Sequence, residues 1–447
     1  MTACKHDPPE AGSNDGLARL VATDGRCSNL SGSDWSELLA QLRGLGARIA
    51  RYERNVVNLI ASDNAVPLAR IPVYPGHVIQ EGLAGRRPFA GARLHDALEE
   101  AAAAVACRVF SAEHANVQPH SCSQANQAVY HALLSPGDTV LSLSFRAGGH
   151  LTHGMRSNFS GRHFRFVHFS VGSDERIDYE TALSLAKEHR PKLVVCGSSS
   201  YPRLYDAERL RAMADAAGAH LMFDLSHEGG LIAGRALANI VPTSDVTTMS
   251  TDKTLRGPFG GIILCRSELS AAIDKAVHPG TQSSFQLRKI ADTAQALIIT
   301  QFAEFGRYAS AVLANARELE RAFDAEHLFT GGTDKHYVVL NVRKAFAIDG
   351  ATAERRLEHL GILVSRQSIP SDVSGKMSDA SAVRLGTAWI TSRGYDRDDV
   401  RAIAEVVHSA LADADGDRPR PHLVNRVAAL CERIRENDVW RSRDDPS

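Results

Sequence analysis

Lysine is scarce in this chain, and no charge of either sign is in excess. Of the 51 basic residues among 447, nine are lysines, at 5, 187, 192, 253, 275, 289, 335, 344 and 376. A chemistry that needs a primary amine therefore has few candidates. Against the basic residues stand 52 Asp plus Glu, for a formal charge of -1. Such a balance offers nucleic acid no basic field, and the expected partner is a small molecule. The seven cysteines (4, 27, 107, 122, 196, 265 and 431) are odd in number and never spaced C-x-x-C. That excludes a disulfide framework and a cysteine-rich zinc module, and points to a reducing, cytoplasmic setting. No stretch approaches the ~18 apolar residues of a membrane span. The opening MTACKHDPPEAGSNDG holds Pro, Gly, Asp and Glu where a signal peptide needs an apolar core, so the first ~30 residues read as a mobile tail.

With 44 % hydrophobic residues, the chain is long enough for two or three domains with sizeable cores. Apolar residues at helical spacing (Leu38, Leu39, Leu42, Leu45, Ile49) predict an amphipathic helix over 35–54. A Gly/Pro-rich stretch follows, then helical patterns over 94–110 and 123–134. Short apolar runs at 139–143, 164–169, 193–195, 221–223, 246–249 and 261–264 alternate with helical segments such as 179–189 and 206–217. This alternation predicts an α/β architecture, a mainly parallel sheet covered on both faces. Beyond 290, a long helical region leads to a second αβ portion. Its strands are predicted over 337–342, 362–365 and 383–387, its helices over 351–359 and 397–412, and a closing helix over 422–435.

Three segments carry chemistry where strands end or helices begin. LMFDLSH (221–227) is an apolar strand closed by Asp224 and His227. TTMSTDKTLRGP (247–258) places Lys253 on a Ser/Thr-rich strand end, 29 residues after Asp224. HSCSQAN (120–126) opens a helix with small polar residues, a start suited to phosphate. An amine, an acidic strand end and a phosphate cradle together are what pyridoxal phosphate requires. The H-x-x-H at His150 and His153 lacks a following general-base glutamate or third ligand, so no metal is expected.

At this point a family resemblance emerges. NLIASDN (58–64), NVQPHSCSQANQAVYHALLSPGDTVL (116–141), GGHLTHG (148–154), FDLSHEGGLIA (223–233), TTMSTDKTLRGPFGGIIL (247–264), HPGTQ (278–282) and ASAVRLGTAWITSRG (380–394) occur in the order found in serine hydroxymethyltransferase. The chain closely resembles that family over roughly 34–440. The resemblance implies a fold-type I pyridoxal phosphate enzyme: a large domain with a mainly parallel seven-stranded sheet, a smaller C-terminal αβ domain and an N-terminal arm. The expected boundaries are a tail over 1–33, the arm over 34–77, the large domain over 78–295, and the small domain with its closing helix over 296–447. It also implies a homodimer with shared active sites.

By the same resemblance Lys253 is the Schiff-base lysine and Asp224 pairs the pyridinium nitrogen. His150 stacks on the ring, and Ser199 and His227 lie near its phenolic oxygen. Ser121 and Ser123, flanking Cys122, hold the phosphate, with Gln282, Ser283 and Ser284 approaching from the other subunit. Arg384 clamps the substrate carboxylate, helped by Ser62, and Glu81 is the acid/base glutamate.

Departures from the family cluster. Ile79, Pro88 and Phe89 replace tyrosines, and Phe259 replaces an arginine. Cys122 stands for a glycine, Asp252 for a histidine, and Asp63 for a glutamate. On the folate side, Phe145, Gln367 and the run SGKMSDASA (374–382) are altered. Groups that bind pyridoxal phosphate are kept while those that read tetrahydrofolate are changed. The expectation is a folate-independent retro-aldol/aldol enzyme acting on β-hydroxy-α-amino acids through a glycine quinonoid, similar to an L-threonine aldolase or transaldolase. Its partners would be an amino acid and an aldehyde, with Glu81 or His150 as base. A tetrahydrofolate-dependent serine hydroxymethyltransferase and a non-catalytic protein of the same fold are the alternatives.

Overall fold

The structure, a computed structural model, describes residues 32–65, 74, 76, 79–85, 87, 90–197, 199–372, 377–413 and 420–436. The predicted tail up to residue 31, the substitutions at Pro88 and Phe89, and residues 374–376 of the altered run lie outside them. Among the described residues are fourteen strands: β1 (Val57–Asn58), β2 (Ile79–Glu81), β3 (His114–Asn116), β4 (Thr139–Leu143), β5 (Arg165–Phe169), β6 (Leu193–Gly197), β7 (His220–Asp224), β8 (Val246–Ser250), β9 (Gly261–Cys265), β10 (Ser284–Gln286), β11 (Tyr337–Asn341), β12 (Ile362–Leu363), β13 (Ser365–Gln367) and β14 (Ala382–Gly386).

Seven of them form the main sheet, in the order β3-β9-β8-β7-β6-β4-β5. Strands β5, β4, β6, β7 and β8 are parallel, and β9 runs antiparallel to both β8 and β3. Every residue of β6, β8 and β9 is buried. Covered on both faces, β6 and β9 read as near-continuous apolar runs while β8 buries hydroxyl residues as well, and each Leu, Ile or Val removed from water contributes about 1.5–3 kcal/mol. The short β3, which carries polar His114 and Asn116, gives no such run, and sequence periodicity did not predict it. The helix Tyr179–His189 falls where expected, capped by Asp178 on Thr181 N, and Asp206 caps Ala207–Ala217 in the same way.

A second core surrounds the antiparallel sheet β11-β14-β13, with Leu340, Val383, Leu385, Leu357, Ile403 and Val407 at its centre. The predicted strand over 362–365 resolves into two, β12 and β13. Strand β12 pairs in parallel with β1, so Val57 and Leu59 are buried in this second core. The helix Ala303–Arg321 joins the two cores: Phe305, Tyr308 and Val312 pack with Leu231, while Leu319 belongs to the second core. Among the described residues, no helix is long and apolar enough to cross a membrane.

Candidate functional site

The carboxyl ends of β7 and β8 lie side by side, with Asp224 opposite Thr248 in the register. Ligands of parallel α/β sheets bind at such strand ends. Asp224 is 4 % exposed and surrounded by donors. Its Oδ2 accepts from Asn126 Nδ2 (2.9 Å) and lies 3.4 Å from His153 Nε2. Its Oδ1 accepts from Ser226 Oγ (2.6 Å), Ser226 N (3.1 Å) and Cys122 Sγ (3.6 Å). Burial opposes ionisation, but His153, His150 and Ser226 outweigh it and hold this carboxyl well below the usual range. The result is a permanent anion aimed from the end of β7. Asn126 is itself fixed, accepting from Thr248 Oγ1 (2.6 Å) and donating to Thr152 Oγ1 (2.9 Å).

Lys253 stands three residues beyond β8, in a loop closed by Gly257 N on Thr251 O (2.6 Å) and Thr251 N on Gly260 O (3.1 Å). Thr254 ties that loop to the residues after β7: its Oγ1 donates to His227 O (2.9 Å) and accepts from Gly230 N (3.1 Å). A Cβ on Gly230 would fall 2.1 Å from the Thr254 carbonyl carbon, so only glycine permits this approach. Lys253 Nζ is 3.5 Å from His227 Nε2. On its other side, His227 Nδ1 meets His336 Nε2 at 3.0 Å, the two rings stacking at 5.2 Å. Burial first, then the cations Lys253 and Arg384, push both histidines well below their ordinary pKa. Each is therefore neutral at pH 7.

Beside this pair lies a buried ion pair between Lys335 and Glu228. Lys335 Nζ also donates to Tyr205 Oη (2.9 Å) and sits 4.1 Å from the centre of that ring. His336, Lys335 and Glu228 escaped the sequence reading. They are brought together across 109 residues by β11 docking near β7, and no local pattern marks them.

Ser121 caps the helix Cys122–Leu133, accepting from Gln124 N (3.2 Å). Cys122 and Ser123 open that helix, Cys122 buried and Ser123 exposed. Gly261 N donates to Pro119 O (3.0 Å), and a Cβ on Gly261 would lie 2.6 Å from Ser121 O, so the β9 entrance closes against the cap. Besides meeting Asp224, Cys122 Sγ lies 3.0 Å from Ser226 Oγ, and burial, then the Asp224 charge, push its thiol up. Cys122 thus acts as a neutral donor.

His150 bonds Thr152 Oγ1 (2.7 Å) through Nδ1, and burial pulls its pKa down to about 4, against the opposing Asp224 charge. Ligand-capable atoms of His150, His153 and Asp224 lie within 4.8 Å of one another. The fold thus supplies beside H-x-x-H the third group that the linear sequence lacks. Arg384, at the middle of β14, reaches across to the main domain and donates through Nη1 to Ser199 O and Oγ. Its Nε is buried with no hydrogen-bond partner among the described residues. Burial lowers its pKa, with Tyr337 and Asp63 opposing, yet a guanidinium keeps its charge. Ser62 Oγ donates to Asp63 Oδ1 (3.3 Å), one residue from Ala61, which presses on Gly386 of the same β14.

Three predicted residues, Glu81, Ser283 and Ser284, stand apart from this group. Glu81, with a 48 % exposed side chain, pairs through β2 with Ser284 of β10, and His278 Nε2 lies 3.9 Å from its carboxylate. Ser283, in the bend just before β10, is exposed. Gln282 Oε1 accepts from Gln124 Nε2 (2.6 Å), which places Gln282 on the first turn of its own chain's capped helix.

The donor set fits pyridoxal phosphate. An ionised carboxylate at a strand end suits a protonated ring nitrogen, and the Lys253 amine suits its aldehyde. The capped helix start suits its phosphate, and the orphaned Arg384 Nε suits a carboxylate brought by a substrate. Among known protein families, the model of serine hydroxymethyltransferase matches residues 45–407.

Proposed function

The chain belongs to the serine hydroxymethyltransferase family, whose members depend on pyridoxal phosphate. From that premise we propose that it cleaves and forms the Cα–Cβ bond of β-hydroxy-α-amino acids without tetrahydrofolate, in the manner of an L-threonine aldolase or transaldolase. The observation that carries this reading is Gln367, at the position where the family reads the pterin. It is 8 % exposed, and its amide donates to Ser368 O (2.9 Å). The turn around it is closed by Asp372 Oδ2, which accepts from Ser368 Oγ (3.0 Å), Ile369 N (3.0 Å) and Ser381 N (3.3 Å). With one amide N–H turned to its own backbone inside a closed turn, Gln367 offers a ligand fewer donors than a free side chain would, which supports a changed pterin contact.

Pyridoxal phosphate, when bound, supplies an electron sink beside the α-carbon. The chain's residues do the rest. Arg384 takes the α-carboxylate in a planar fork, and Ser62 lies near it. Asp224 holds a proton on the ring nitrogen. His227, neutral and fixed by His336, faces Lys253 Nζ as an acceptor. For cleavage, the β-hydroxyl proton passes to His150, neutral at pH 7, or to Glu81 of a second subunit. The Cα–Cβ bond then breaks, the aldehyde leaves, and the electron pair stays with the α-carbon. A proton there gives glycine; a second aldehyde there gives a new β-hydroxy amino acid.

Exposed Glu81 and Ser283 support a homodimer in which each chain completes its partner's site, and the buried free thiols suit a reducing cytoplasm. The test is purified enzyme with L-threonine and no folate. Release of acetaldehyde is expected. Turnover of amino acid only when tetrahydrofolate is added would sink the folate-independent reading.

A further inference from the structure

Beneath the helix cap lies a cation that the reading above does not use. Lys289 stands in the first turn of the helix Leu287–Ile299, where a positive charge opposes the helix dipole, so it is not placed for that helix. Its stem runs under Gly260, at which an added Cβ would fall 2.2 Å from Lys289 Cε. Its Nζ donates to Val117 O (2.7 Å), Pro119 O (2.8 Å) and Gly261 O (3.4 Å). Two of these carbonyls belong to the loop that ends on the Ser121 cap, and the third to the first residue of β9, where the loop that follows Lys253 ends. An ammonium has three N–H donors, and three carbonyls take them. Among the described residues no carboxylate lies at ion-pair distance. Glu99, the nearest acidic influence, binds Arg87 and Gln118 instead. Burial draws the Lys289 pKa down to about 7, Glu99 opposing, while His120 feels the Lys289 charge from the loop above. A phosphate dianion in the cradle would hold the proton on.

We propose that Lys289 is a positioning residue for the cofactor's phosphate: it clasps both loops of the cradle from below and adds positive charge behind them, with no donor left to ligate the phosphate itself. The proposal rests on the pyridoxal phosphate reading and extends it to a residue outside the site.

The experiment compares two ligands on full-length protein stripped of cofactor. Pyridoxal phosphate and pyridoxal, which lacks the phosphate, are titrated by absorbance into wild type, Lys289→Gln and Lys289→Met. Gln keeps a neutral donor for the loops; Met keeps only the stem. Both variants should lose about tenfold in affinity for pyridoxal phosphate, as expected for one charge set back behind the loops and not in contact with the phosphate, with pyridoxal affinity unchanged. Equal losses for both ligands would make Lys289 a brace for the fold alone, and no loss for either would remove it from the cradle. Each of those results overturns the proposal. A wild-type protein that binds neither ligand would overturn the cofactor reading itself.

Discussion

The strand ends around Lys253 and the β2–β10 pair that carries Glu81 are built on opposite terms. Around Lys253, nearly every polar group is buried and partnered within one chain: Asp224 has five donor contacts, and His227 is held by His336. At the β2–β10 pair, Glu81 and, just before β10, Ser283 are exposed, with one weak ionic neighbour for the carboxylate among the described residues. The difference separates what a single chain can organise from what needs a second surface. Preorganised charge requires burial, and burial requires that each donor find an acceptor at home. An acid/base group that must meet substrate from outside can wait on the surface until a partner covers it.

Four measurements break or sharpen that contrast. Lys253→Ala should abolish the absorbance of bound cofactor and reduce threonine cleavage by about a thousandfold or more. Retained cleavage would move the chemistry away from the buried group. Glu81→Gln should lower turnover by about a hundredfold while leaving cofactor absorbance intact. Mixing equal amounts of the unfolded Lys253→Ala and Glu81→Gln chains and refolding them together should restore about a quarter of wild-type activity. In the proposed homodimer with shared sites, one intact site then forms in each mixed dimer, and mixed dimers are half of the population. No recovery would place Glu81 in its own chain's site.

The third measurement concerns acid. His150, His227 and His336 all have folded-state pKa values below the ordinary histidine value, because burial disfavours their charge. Below about pH 6.5 the unfolded chain therefore binds protons that the folded chain refuses. Their contribution is whole above that pH and falls away as acid is added, for His150 until about pH 4. The melting temperature should decline from pH 7 to pH 5, and His336→Asn should flatten that decline. An equally steep decline in the variant would deny the pair its share. The smallest effect is expected at Cys122: Cys122→Ala removes one weak donor of several from Asp224 and should change turnover by roughly twofold to fivefold. A hundredfold loss would mean that this thiol does more than orient the carboxylate.

Much of the architecture is legible in the sequence because buried parallel strands must be short apolar runs, and those at 139–143 and 193–195 can be read directly. Strand β3 is not, since an edge strand carrying His114 and Asn116 has no apolar signature. Within the site, Lys253, Asp224 and Arg384 announce themselves by residue type and by the motifs around them. His336 and Asn126 do not. Their work lies in holding His227 and Asp224, and such contacts depend on docking across 109 and 98 residues, which no local pattern encodes. The third ligand-capable group beside His150 and His153 was likewise invisible until β7 brought Asp224 to them.

The pairing of β1 with β12 has a consequence for how the chain is made. Val57 and Leu59 are buried in a core whose other members run from Leu319 to Cys431, and their strand partners Ile362 and Leu363 lie some 300 positions further on. Asn64, just beyond them, donates to Lys253 O and Tyr308 Oη (2.8 Å each) and accepts from Ser392 Oγ (2.5 Å). At ordinary rates of synthesis, the segment that steadies the lysine loop must wait about 15–60 s for its seat to emerge from the ribosome. For that interval an apolar stretch near the amino end stands unprotected in a crowded cell, and a chaperone that shields it would raise the yield of active enzyme without touching the finished molecule.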